Sequence, residues 1–178
     1  MDLSTVFGIF GVVANASWPL IKQRNLLLSG QVLACIFMFA HFWLLGAHTG
    51  ATVMAVAGIQ AALAIPLEAH PKYKSVYLAS LLLTPLVALL SWHGLPSIFS
   101  TLALVFFCIG NLQINTKRLR IFLLFCLFCW VGHNLLISSH PALVSNFIAF
   151  STSVYGLLRE YMPNKSRQKV AQTARASA

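Results

Sequence analysis

All twelve lysines and arginines of this 178-residue chain fall in four short segments, and long apolar runs separate them. Seven such runs can be read, at 3–21, 26–46, 51–67, 73–92, 98–114, 121–137 and 142–158. A helix needs about 20 mostly apolar residues to cross a bilayer, and the longest of these runs meet that length. With 58% hydrophobic and 8% charged residues, the chain cannot cover a water-facing surface, for which about 25% charged residues is usual. The runs are continuous rather than alternating, which points away from a membrane barrel. An open sheet would leave backbone groups unsatisfied in lipid. The expected fold is an all-α polytopic membrane protein.

The basic segments orient it. They hold Lys22 and Arg24; Lys72 and Lys74; Lys117, Arg118 and Arg120; and Arg159, Lys165, Arg167, Lys169 and Arg175. Seven helices with the N-terminus outside put every one of these on the cytoplasmic side. The opposite segments then carry Asp2, His48, His93 and His140, with no lysine or arginine, as the positive-inside rule requires. A six-helix reading, which drops the short third or seventh run, scatters the cations over both sides. The net charge of +9 therefore reflects topology rather than nucleic-acid binding, and the expected partner is the lipid bilayer. Asp2 and the lack of a basic n-region argue against a cleaved signal peptide, so the first helix is expected to remain. Cys35, Cys108, Cys126 and Cys129 all lie inside apolar runs, so disulfides between loops are not expected.

A second pattern divides the chain. Residues 41–71 recur, degenerate but without a gap, at 133–163. A shift of 92 places His41 on His133, His48 on His140, Ala57 on Ala149, Glu68 on Glu160 and Pro71 on Pro163. The chain has three acidic residues, and two of them coincide. Combined with the helix count, this implies a 3+1+3 arrangement: a first triple-helix unit at 1–71, a linker helix at 72–94 and a second unit at 95–163. The single linker helix makes the units parallel repeats about an axis normal to the membrane. Residues 164–178 are polar and basic, and should form a disordered cytoplasmic tail.

These residues carry two resemblances. The 3+1+3 layout, Trp18-Pro19 ahead of a basic loop, and the segment Ala142-Leu-Val-Ser-Asn146 resemble the SWEET sugar transporters and the wider PQ-loop superfamily. The chain as a whole is similar to small bacterial inner-membrane proteins of the YgjV type. The first resemblance implies a cavity between two triple-helix units, with Asn146 facing a substrate. The second implies a multi-pass protein of the bacterial cell inner membrane.

Candidate residues follow from what lipid excludes, because polar groups inside a bilayer must face protein or a wet cavity. The substrate-binding candidates are Asn146, Asn134, Trp43, Trp130, His133, His41, Asn111 and Trp18. Trp43 and Trp130 could stack on a flat ligand. His41 and His133 are either proton-coupling groups or packed neutral rings with a backbone partner. Each lies seven residues before a second histidine, about 10.5 Å along a helix, too far to share one metal with it. Gating candidates are Pro19, which removes a backbone hydrogen bond, and Glu68 and Glu160 at the basic ends of the third helices. The alternative for the glutamates is a salt bridge with Lys72, Arg159 or a loop lysine. Cys126 and Cys129 form a CxxC string inside an apolar helix, where packing is the better reading.

No catalytic triad, phosphate loop or acidic metal site appears. The sequence points away from an enzyme and implies no cofactor or metal. It points to a transporter or facilitator of a small polar solute, working by alternating access between the repeats. The other reading is a non-transporting membrane scaffold or partner subunit, and a homo-oligomer is compatible with either.

Overall fold

A computed structural model of the chain describes residues 2–44, 46, 48–90, 92, 94–136 and 140–161. All regular structure among them is helical. In order the helices are α1 (Leu3–Ser17), α2 (Arg24–Leu44), α3 (His48–Ala64), α4 (Lys74–Ser80), α5 (Leu83–Leu90), α6 (Leu95–Leu112), α7 (Thr116–Leu136) and α8 (His140–Tyr161). The expected tail at 164–178 and His93 lie outside the described residues, as do the side chains of His48 and His140.

Within the expected linker helix at 72–94 the structure places two helices, α4 and α5. Pro85 explains the break. It has no N–H for the Leu81 carbonyl, and its ring crowds that carbonyl. The chain tightens there instead, with Leu82 N–H on Ala79 O and Thr84 N–H on Leu81 O at 3.1 and 3.0 Å. Prolines also shape two other ends. Pro19 and Pro66 sit in the 3-10 turns Trp18–Leu20 and Ile65–Leu67 that close α1 and α3.

Four stretches are long and apolar enough to cross a membrane: Leu3–Leu20, Arg24–Leu44, Leu95–Leu112 and Thr116–Leu136. Ala51–Leu67 is apolar but shorter. Large side chains such as Phe128 and Phe147 lie about 70% exposed on the outside (69% and 72%), as a lipid-facing surface requires.

Packing gathers the helices into two groups. In the first, α2 lies between α1 and α3; in the second, α7 lies between α6 and α8. The groups meet where α3 touches α6 and where α1 and its terminal turn touch α8. The main apolar cluster joins Leu27 and Leu28 of α2, Leu119 and Leu123 of α7, Trp18, Ala64 and Tyr77. A second joins Val56 and Ala57 of α3 to Leu104 and Cys108 of α6 and Val87 of α5. The basic segments collect at one end. Arg24 reaches the α6 terminus, Arg120 reaches Glu160, and Lys117 Nζ lies 4.3 Å from the centre of the Tyr161 ring.

Candidate functional site

The basic end is built on two buried arginines. Arg24 is the first residue of α2 and is 4% exposed. Its Nε donates to Gln113 O at 2.9 Å, its Nη2 to Asn111 O at 2.8 Å and its Nη1 to Ala64 O at 3.1 Å. These acceptors sit at the C-terminal ends of α6 and α3. Helix ends leave their last carbonyls without intrahelical partners, and a cation is favoured there. One guanidinium therefore closes two helices, and one of them belongs to the other group.

Arg120, on α7, is 2% exposed and does the reverse. Its Nη1 donates to Pro19 O and its Nη2 to Ile21 O, both at the end of α1. Its Nε also lies 3.6 Å from Glu160 Oε1, an ion pair wider than a hydrogen bond. Space for the guanidinium depends on Gly156 of α8. A Cβ there would collide with the Pro19 carbonyl and with Arg120 Nη1. Pro19 and Asn111 are 92 positions apart, as are Ile21 and Gln113, and Ala64 and Gly156. The arginines themselves are 96 apart, one helical turn more. The two ties thus grip matching carbonyls, each from the opposite group.

Both glutamates expected as gating candidates lie near these arginines. Glu160 pairs with Arg120, a cation outside the alternative set of Lys72, Arg159 or a loop lysine. Glu68 is exposed and lies within electrostatic reach of Arg24. Glu68 and Arg24 line a cleft of about 510 Å³ at the basic end, with Lys22, Asn25 and Thr116. Pro19 contributes as a carbonyl acceptor as well as a helix breaker.

The opposite end holds the histidines. His41 Nδ1 lies 2.8 Å from Ser4 O and His133 Nδ1 lies 2.8 Å from Pro96 O. Ser4 and Pro96 also obey the shift of 92. A carbonyl only accepts, so each Nδ1 carries the proton. Each bond links the second helix of a group to the first helix of the same group. Gly8 lets the His41 ring approach α1, because a Cβ there would come 2.8 Å from Nδ1. His133 also meets Trp130 edge-on, with ring centres 5.3 Å apart.

The remaining candidates divide by burial. Trp43 is 56% exposed and stacks on Phe39 along the outer face of α2, away from the interhelical interior. Trp18 is buried and donates to Asn15 Oδ1 at 3.2 Å. Asn134 is buried, Asn146 half-buried. Cys126 and Cys129 are free thiols packed with Ala103 and Trp130.

Buried amides fall into two kinds. Gln60 of α3 is fully satisfied. It accepts from Cys108 Sγ at 2.6 Å and donates to Thr84 Oγ1 at 3.3 Å and Ser80 O at 3.4 Å. Ser80 O is a carbonyl released by the break before Pro85. Tyr77 adds a bond to Cys108 O at 2.6 Å. By contrast Gln31 of α2 and Asn111 of α6 are 2% and 0% exposed, and neither amide has a hydrogen-bond partner among the described residues. Ser153 Oγ and Asn146 Nδ2 of α8 are in the same condition. Sequence reasoning missed Gln31, although a glutamine within an apolar run was a visible signal. It also counted Arg24 and Arg120 as topology cations, although both are arginines opening the second helix of a unit.

The family model for Imp-YgjV, bacterial inner membrane protein, matches residues 2–163. No curated protein and no solved structure matches the chain.

Proposed function

The chain belongs to this Imp-YgjV family of bacterial inner membrane proteins, and from that premise we propose that it carries a small neutral polar solute across the membrane. In this reading all seven runs cross the bilayer, with α4 and α5 together making the fourth pass. The first and second helix groups are parallel repeats that rock about α4–α5, so that the interior opens alternately to either side.

The observation that carries this is the pair of buried, unpartnered amides, Gln31 and Asn111. Leaving a buried polar group unmade costs about 1–3 kcal/mol, and the cost is higher in lipid, where no water substitutes. A static scaffold gains nothing from it. A carrier does, because a solute supplies the missing bonds when the interior opens. Carboxamides and a hydroxyl, with no carboxylate on Gln31's or Asn111's helices, suit a ligand bearing hydroxyl or amide groups rather than a cation. The Gln60 network shows that this protein satisfies buried amides where they serve only packing.

The test is counterflow into proteoliposomes with labelled sugars, polyols, nucleosides and amides, alongside thermal shift of purified protein with the same panel. Transport predicts saturable exchange of at least one solute class, lost in Gln31→Leu. Its replacement by the scaffold reading would follow from no exchange and no ligand-dependent stabilisation.

A further inference from the structure

We propose that Arg24 and Arg120 form a reciprocal latch that holds the basic end shut, and that Glu68 and Glu160 are the seats to which they transfer when that end opens. The inference rests on the alternating-access reading, and deepens it by assigning the moving contacts.

Each arginine crosses from its own group to the first helix of the other. Arg24 leaves α2 to hold Asn111 O and Gln113 O of α6; Arg120 leaves α7 to hold Pro19 O and Ile21 O of α1. Separating the groups at this end must break both sets at once. A guanidinium cannot be left unpaired at a membrane boundary, because it stays charged and its desolvated donors would be orphaned. The chain provides a replacement for each on the arginine's own group. Glu68 follows α3, and Glu160 closes α8. Glu160 is already 3.6 Å from Arg120 Nε, without a hydrogen bond on either atom. Glu68 faces the cleft beside Arg24. An arginine swinging from carbonyls to carboxylate exchanges neutral acceptors for a charged one, which offsets the loss of the former. Two of the three acidic residues of the whole chain are spent on this arrangement.

The test uses full-length protein in nanodiscs, spin-labelled at Ala69→Cys in the first group and Arg118→Cys in the second, both exposed at the basic end. Electron–electron distance measurements on the otherwise unmodified chain should give one dominant short separation. Arg24→Gln with Arg120→Gln should add a longer population. Should that variant fail to elute as a folded species, Arg24→Lys with Arg120→Lys carries the same test, since an ammonium on a flexible stem does not span two carbonyls in a fixed fork. Glu68→Gln with Glu160→Gln should narrow the distribution toward the short separation. If the carboxylates merely braced the closed form, this last variant would lengthen it, and the seat assignment would fail. A single unchanged short distance in folded arginine variants would sink the latch. Solute exchange is measured on the same samples. Altered distances without exchange in any of them would keep the latch and remove the transport reading, whereas intact exchange with unchanged distances would remove the latch alone.

Discussion

The two ends of the molecule use the same device, a side-chain cation or ring nitrogen on a backbone carbonyl, but they connect different things. At the basic end two of the three bonds of Arg24, and both hydrogen bonds of Arg120, run between the helix groups. At the histidine end the bonds of His41 and His133 run within them. A bond inside a group stiffens it as a body. A bond between groups fixes the bodies relative to one another. In the proposed alternating-access reading, relative motion would begin at the basic end, and the histidines would belong to the bodies that move.

The largest effect should come from breaking a crossing tie. Arg120→Ala orphans two carbonyls and isolates the Glu160 carboxylate. Loss of one partner of a buried pair costs about 3–5 kcal/mol, read as a large drop in thermal midpoint in detergent. If the midpoint holds, the tie is not structural. Next, Gly156→Ala places a methyl group against Pro19 O and Arg120. Overpacking of this kind costs about 1–3 kcal/mol, and Gly156→Ala combined with Arg120→Ala should cost less than the sum, since both act on one contact. Gln31→Leu should move stability the other way, up by about 1–3 kcal/mol from removing an unpaired amide, while Gln60→Leu should lower it by stranding Ser80 O. Equal effects of the two glutamine changes would erase the distinction between paired and unpaired sites. The smallest change is expected from His41→Phe or His133→Phe. An interhelical bond in a membrane contributes about 0.6 kcal/mol, and the separation of the labelled basic ends should stay unchanged. Uptake should also keep its pH profile, because each ring is bonded only within its own helix group.

Much of the architecture was legible because it is written in long-range composition. Apolar length gives the helices, and the shift of 92 residues reappears in space as matched carbonyls, Pro19 with Asn111 and Ile21 with Gln113. The break in the linker was legible in principle, since Pro85 forbids a regular turn, but hydropathy alone reads straight through it. Glu68 and Glu160 stood out because acids are scarce. Their partners did not. The acceptors of both arginines are main-chain atoms, which every residue possesses, so no side chain advertises them. Gln31 and Gln60 look alike in sequence, and differ in whether neighbouring helices bring a thiol, a hydroxyl and a released carbonyl within reach. Trp43 and Trp18 look alike too, yet one lies on the outer face of α2 and the other in the buried turn that closes α1.

The choice of main-chain acceptors has a further consequence, for how such a protein drifts. Residues 19, 21, 111 and 113 are proline, isoleucine, asparagine and glutamine, four unlike side chains presenting one kind of oxygen. Substitutions there leave the acceptor standing so long as the backbone keeps its course. Constraint falls instead on the donors and on the glycine that makes room for one of them. Two helix groups can then differ widely in side chains, and still clasp each other by the same kind of atom.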